Sequence, residues 1–241
     1  MINTMTPNAS WITEVEGSSN RARWGGLVVA IGSTLILIGI LVLLPSPFAS
    51  AGFPYPVAPT LDRAQASASN SFLLPLGGSI LVLGDVITAT GSFMLLTRPL
   101  SRLQGASSAG WALTAVSVIL FAAADSFTAR MAVPLAQSYS QSPSIFSAFV
   151  SEYDFVFGVA SLIGGIGEIA IFWTEARIDS PAIPRRLSYV GIIGAIFFLL
   201  ASIGFLSGSQ LSLFGPIGIA LPLVVAVVLG ARLWVGRGVA K

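Results

Sequence analysis

The sequence predicts an all-α fold, a six-helix transmembrane bundle with N and C termini cytoplasmic. Three observations lead there. Only 9% of the 241 residues are charged while 54% are hydrophobic, against about 25% charged in a soluble domain. Apolar runs of about 20 residues recur six times, each long enough to cross a hydrocarbon core about 30 Å thick. Ten of the twelve Lys and Arg residues fall on one side of that pattern, as the positive-inside rule requires of the cytoplasmic side.

The spans run from Trp24 to Leu44, Phe72 to Leu96, Ala109 to Ala129, Tyr153 to Thr174, Ser188 to Leu206 and Leu213 to Val235. Backbone polar groups cannot stay unpaired in lipid, so each span is expected to be helical. Arg21 and Arg23 precede span 1, and Arg98 and Arg102 follow span 2. Arg177, Arg185 and Arg186 separate spans 4 and 5, while Arg232, Arg237 and Lys241 close the chain. Only Arg63 and Arg130 fall outside. Trp24, Trp111, Trp173 and Trp234 mark the same cytoplasmic ends, as an interfacial aromatic belt does. The location implied is a membrane with these ends on its cytoplasmic side. Its positive-inside loops explain the net charge of +2 without a nucleic-acid partner.

The organisation is one membrane domain, 24–236, between a cytoplasmic N-terminal tail, 1–23, and a short C-terminal tail, 237–241. Trp11, Ile12 and Val15 can rest the first tail on the membrane surface. A rival reading of span 1 comes from Arg21, Arg23 and the later Ala49-Ser50-Ala51, which imitate a signal peptide and its cleavage site. The apolar stretch is longer than the usual signal core and a 20-residue polar lead precedes it. Span 1 is therefore expected to remain as an anchor; cleavage would leave five spans. Asn8-Ala9-Ser10 fits a glycosylation pattern, but on the cytoplasmic side it is a chance match.

Both long loops are expected outside. Pro45 to Ser71 holds five prolines before residue 60 and predicts an extended, partly stiff segment, with Phe48, Phe53 and Tyr55 at the interface. In Met131 to Glu152, Pro143 followed by apolar residues at 145, 146, 149 and 150 predicts a short interfacial helix with Pro at its first position. Gly25, Gly32 and Gly39 in span 1, and Gly77, Gly84 and Gly91 in span 2, recur at heptad spacing. That keeps small residues on one seam, where helix backbones approach closely. Pro216 and Pro222 predict a kink toward the outer end of span 6. No internal repeat points to an inverted-repeat transporter.

Missing residue types exclude much chemistry. The chain has no Cys and no His, which removes thiol nucleophiles, disulfides, His-ligated haem, His-containing triads and the usual zinc sites. Its only Lys is Lys241, so no Schiff base forms inside the bundle. No Gly-rich Lys-Ser/Thr loop holds a nucleotide phosphate. No cofactor and no metal is expected, and no catalytic residue can be named. Carboxylate, hydroxyl, amide and arginine remain.

Three acids lie well inside spans: Asp85, Asp125 and Glu168. Each costs about 2.5–3.5 kcal/mol on insertion scales, so it needs a partner or a water-filled cavity. Asp154, Ser161, Glu168 and Glu175 are seven apart on one stripe of span 4, flanked by Gly164 and Gly165. Ser71, Gly78, Asp85 and Ser92 repeat this in span 2, and Asp125 shares its face with Thr114 and Thr128. Such stripes face the bundle interior. From the cytoplasmic ends, Glu168 should sit at about 10 Å, Asp85 at about 18 Å and Asp125 at about 24 Å, a staggered ladder if spans 2, 3 and 4 are neighbours. Arg130, Glu152 and Asp154 are candidates for an ion cluster at the outer mouth. Asp125 and Arg130 lie about 140° apart around their helix, which works against their direct pairing.

The candidate ligand-binding or proton-handling residues are therefore Asp85, Asp125, Glu168, Ser161 and Thr128. One reading makes the acids packing groups hydrogen-bonded across helix interfaces. Another makes the seam a site for a small or lipid-like molecule, bound or transported, without enzymatic activity. A third is a carboxylate-only membrane enzyme, such as a lipid isomerase or cyclase, with one acid donating a proton and another carboxylate accepting one. A fourth is a structural subunit whose glycine seams and outer loops contact a membrane partner or a second copy. The lipid bilayer is the one partner common to all.

The stretch Ile171-Phe-Trp-Thr-Glu-Ala-Arg-Ile-Asp-Ser-Pro-Ala-Ile-Pro-Arg-Arg-Leu-Ser-Tyr-Val-Gly resembles part of an uncharacterised family of six-helix bacterial multi-pass membrane proteins, the domain of unknown function 4386 type. There a helix ends in a Ser-x-x-Ile-Pro-Arg-x-Leu turn before a Gly-rich helix. Ser180, Ile183, Pro184, Arg185, Leu187 and Gly191 carry the likeness. The charged segment from Glu175 to Asp179, and Ser188 in place of Gly, depart from it. The resemblance implies an inner-membrane protein and nothing catalytic.

Overall fold

The computed structural model describes residues 9–44, 59–98, 100 and 103–238, and of 9–16 and 18 the backbone alone. These residues form helices and no strands. In order they are α1 (Ala9–Leu43), α2 (Thr60–Ser69), α3 (Leu73–Leu95), α4 (Gln104–Arg130), α5 (Ala132–Gln137), α6 (Pro143–Arg177) and α7 (Arg185–Ser207). A 3-10 turn (Gln210–Phe214) then leads into α8 (Gly215–Trp234). Six of these are long and apolar enough to cross a membrane: α1 from Ser19, α3, α4, α6, α7, and α8 with the turn before it. A 23-residue helix such as α3 spans about 35 Å at 1.5 Å per residue.

Each spanning helix packs against its predecessor and successor, and α8 returns to α1. The result is a closed ring in the order α1, α3, α4, α6, α7, α8. The two predicted glycine seams face each other in antiparallel register. A methyl added to Gly25 would come 3.2 Å from the Gly91 carbonyl, one on Gly32 2.8 Å from that of Gly84, and one on Gly77 3.5 Å from that of Gly39. Backbone thus lies on backbone along the whole α1–α3 contact, the close approach small residues allow in lipid. Gly26 against Gly230 closes the α1–α8 contact in the same way, and Gly110 against Gly167 the α4–α6 contact.

Several expectations at the helix ends are corrected. The segment from Ala9 to Arg23, expected as a tail, is helical and continuous with the first span. Pro143 does stand in the first turn of its helix, yet that helix is not a separate interfacial piece; it runs unbroken for 35 residues to Arg177. Part of the first long loop is not extended, because Thr60–Ser69 is helical. Residues 45–58, with the prolines at 45, 47, 54 and 56, lie outside the described residues. So do Asn8, Arg102, residues 239–241 and the side chains of Trp11, Ile12 and Val15. Pro216 occupies the first turn of α8, where its missing N–H costs nothing. Pro222 is inside that helix, and Gly194 of α7 leaves room for its ring, since a methyl there would meet Pro222 Cδ at 2.6 Å.

Two buried ion pairs fasten the ends of the ring. At the end bearing both termini, Arg98 hydrogen-bonds Glu175, whose other oxygen accepts the Ala182 N–H at 2.8 Å, and Arg98 also donates to the Gly238 carbonyl at 2.9 Å. Gly238 has φ +69°, and a methyl there would collide with Ala182 and Arg98. The Glu175 carboxylate and Arg98 thus tie together three parts of the chain. At the opposite end Arg63 of α2 grips Asp154 of α6 through two bonds of 2.8 and 2.9 Å. Trp24 and Trp234 meet edge to face at 4.7 Å, and Trp173 is 43% exposed with the Arg177 guanidinium over its ring at 4.3 Å. Trp111 does not belong to this belt. It is buried in the apolar cluster of Val29, Leu95, Phe172 and Leu229.

Candidate functional site

The ring encloses a cavity of about 440 Å³. Its walls are mainly Leu, Ile and Phe, and it receives side chains from all six spanning helices. Among its lining residues are Asp85 of α3, Asp125 and Thr128 of α4, and Glu168 of α6. The heptad stripes explain this, since each acid lies on the side of its helix that also carries small residues packed against a neighbouring helix. Gly78 meets Ala129, Gly164 meets Ser117, and Gly167 meets Thr114.

Asp85 and Asp125 face each other from adjacent helices, within hydrogen-bonding reach. Both are buried. Next to this pair, the hydroxyls of Tyr153 and Thr128 are within reach of each other. Asp85, Asp125, Thr128 and Tyr153 therefore form one polar patch.

Glu168 stands apart in the same wall, and its Oε2 is buried without a hydrogen-bond partner among the described residues. It also borders a second chamber of about 40 Å³, lined by Ser33, Thr88, Trp111 and Thr114 among apolar side chains. Asp85 and Asp125 approach each other across the α3–α4 contact, while Glu168 stands separate from them. Among the described residues no three acidic, His or Cys side chains gather closely enough to hold a metal ion.

Ser161 does not reach the cavity; its hydroxyl donates to the Phe157 carbonyl at 2.7 Å in its own helix. The predicted outer ion cluster does not form. Asp154 takes Arg63 as its partner, while Arg130 and Glu152 are exposed and make no ion pair among the described residues. A count of charges near each span end could not select Arg63, because its helix lies in a loop read as extended.

The sequence reading missed Tyr153, Ser117 and the aromatic wall. Ser117 lines the cavity while its hydroxyl donates to the Ala160 carbonyl at 2.8 Å. Phe121 packs on Phe157 at 4.9 Å and on Phe198 at 5.9 Å, closing one side of the cavity. Tyr153 carried a usable signal, since it adjoins Asp154 on the acid-bearing helix, but it was taken only as the start of a span. Four of the lining residues are themselves surface-exposed, namely Leu41 of α1 and Leu44 just after it, with Pro216 and Ala220 of α8. Comparison with family models, with curated proteins and with solved structures gives no match to this chain.

Proposed function

We propose that this chain is a multi-pass protein of a bacterial cytoplasmic membrane, both termini inside, that binds a small or lipid-like molecule in its central cavity. Asp85, Asp125 and Glu168 serve as the hydrogen-bonding groups, and transport is one form such binding takes. The observation that carries this reading is the convergence of three carboxyls from three helices on one otherwise apolar cavity. Largely apolar pockets of about 300–1,000 Å³ with few polar groups are the usual form of small-molecule sites. Intramembrane ionisable groups, costly to bury, mark such sites by default. The basic-residue asymmetry supports the orientation, and the likeness over residues 171–191 supports the inner-membrane assignment.

The test is to purify the protein in mild detergent and identify bound molecules by mass spectrometry. Wild type is compared with the Asp85→Asn/Asp125→Asn/Glu168→Gln triple variant. The expected result is a molecule present in wild type and lost in the variant at near-normal expression. Equal retention in both, or nothing beyond bulk lipid in either, refutes the reading.

The Asp85–Asp125 pair favours a second reading, a carboxylate-only isomerase or cyclase acting on a lipid. One carboxyl of such a pair donates a proton and its partner accepts one. This reading requires product formation with a bell-shaped pH profile; turnover independent of pH removes it.

A further inference from the structure

The cavity is closed at two ends and reaches the surface at its side. At the end opposite the termini, α2 and α5 lie together, and Arg63 pins α2 to α6. Beneath them Leu74, Ala124, Phe146, Val150 and Tyr153 form a packed apolar layer. At the other end Trp111, Ile171, Phe172, Leu229 and Leu233 form a second packed layer. Between α1 and α8 the situation changes along their length. Near the termini they are locked by Gly26 on Gly230, by Trp24 on Trp234, and by the Arg23 Nε–H bonded to the Trp234 carbonyl at 3.0 Å.

Toward the other end, the facing residues of both helices line the cavity and several are also exposed. Leu41 is 60% and Leu44 57% exposed, and Pro216 and Ala220 are exposed across from them. A residue that lines a cavity and faces outward marks its mouth. Every described residue at this mouth is apolar. Ala220 lies about 7 Å along α8 from its first residue, at 1.5 Å per residue. Leu41 and Ala220 both fall within the apolar stretches that span the membrane. The rim that the described residues form is therefore apolar, as a surface facing lipid is.

We infer that the cavity is loaded sideways from the bilayer, through the gap between α1 and α8, and that its ligand is a single-chain amphiphile. The inference rests on the binding role proposed above and names its ligand class and route. The head of such a molecule is neutral and carries a hydroxyl or similar group, which gives and takes hydrogen bonds at the Asp85–Asp125 pair. Its chain runs along Phe121, Phe157 and Ile219 and leaves between Leu41 and Ala220. A water-soluble ligand does not fit this geometry, since it would have to cross an apolar mouth lying within the membrane. A two-chain phospholipid is too large for 440 Å³.

The chain has no cysteine, so an introduced pair reports without background. The Leu41→Cys/Ala220→Cys variant is reconstituted in phospholipid vesicles holding a diazirine-bearing long-chain alcohol, with and without a bismaleimide bridge across the two thiols. After illumination, adducts are mapped by mass spectrometry. The unbridged protein should carry interior adducts on Phe121, Phe157 or Phe198, and surface adducts near Val86 and Ile193, which are 52% and 51% exposed. Bridging should abolish the interior adducts and leave the surface ones unchanged. Leu41→Trp, which fills the mouth without a linker, should give the same loss.

Interior adducts that persist in both the bridged protein and Leu41→Trp overturn lateral loading while cavity binding stands. Absence of interior adducts from the unbridged protein, with surface adducts present, overturns the cavity-binding reading itself.

Discussion

Arg63 and Asp154 meet fork to fork, with Nη1 to Oδ2 at 2.8 Å and Nη2 to Oδ1 at 2.9 Å, and both side chains are nearly inaccessible. This bond ties a short loop helix to the fourth span and holds the roof over the cavity. Removing one partner of a buried pair leaves an uncompensated charge and costs about 3–5 kcal/mol. Arg63→Ala and Asp154→Ala should each lower the unfolding temperature sharply. The Arg63→Leu/Asp154→Leu double variant should recover much of the loss, because no lone charge remains. Thermal unfolding in detergent checks this; additive losses in the double variant contradict it.

The glycine register between α1 and α3 gives a second expectation. A methyl on Gly32 would lie 2.3 Å from Thr88 Oγ1 and 2.6 Å from the Thr88 backbone nitrogen, whereas one on Gly105 meets nothing within 4 Å. Gly32→Ala must push two backbones apart and should cost about 1–3 kcal/mol, as overpacking does. Gly105→Ala, in the first turns of α4, should be neutral or stabilising by about 0.5–1 kcal/mol. Equal melting temperatures for the two variants would show that the seam is not close-packed.

Six spans and two glycine seams were legible because lipid imposes length and small-residue rules that a sequence displays directly. The stripes that turn Asp85, Asp125 and Glu168 inward were legible for the same reason, since side-chain direction follows helix periodicity. Two kinds of feature were not. Partners distant in sequence, such as Arg63 with Asp154 and Arg98 with Glu175, depend on how loops fold back, and positive-inside counting treats every basic residue as a surface anchor. Relative depth was the other. Counting about 1.5 Å per residue from helix ends ignores how far neighbouring helices are displaced along each other and how far side chains reach, so it could not say that Asp85 and Asp125 meet.

A third prediction concerns the small chamber beside Glu168. Ser33 Oγ, Thr88 Oγ1, Trp111 Nε1, Thr114 Oγ1 and Glu168 Oε2 are buried without partners among the described residues and belong to residues that line it. Buried polar atoms in native proteins are paired with protein or with ordered water. A chamber of 40 Å³ exceeds the minimum of about 10–15 Å³ that one water needs. Water is thus expected to bridge these groups. Ser33→Ala and Thr114→Val should then each destabilise by about 1 kcal/mol, the net worth of a hydrogen bond. If the hydroxyls were unpaired, deleting them should stabilise instead, so the sign of the melting shift decides.

The last prediction separates binding from packing at the Asp85–Asp125 pair. The two carboxyls face each other in a cavity with room to spare, and apolar side chains at both positions would remove two desolvated polar groups at once. Replacing both partners of a buried polar pair by apolar groups is often neutral or stabilising, whereas removing one is costly. Asp85→Leu and Asp125→Leu should each lower stability. The Asp85→Leu/Asp125→Leu variant should melt at or above the wild-type temperature and retain no ligand in the mass-spectrometric assay. A site kept at the expense of stability behaves in that way, because function, not folding, holds the pair in place. Packing acids behave oppositely: the double variant melts lower than wild type, and whatever copurifies with the protein is unchanged.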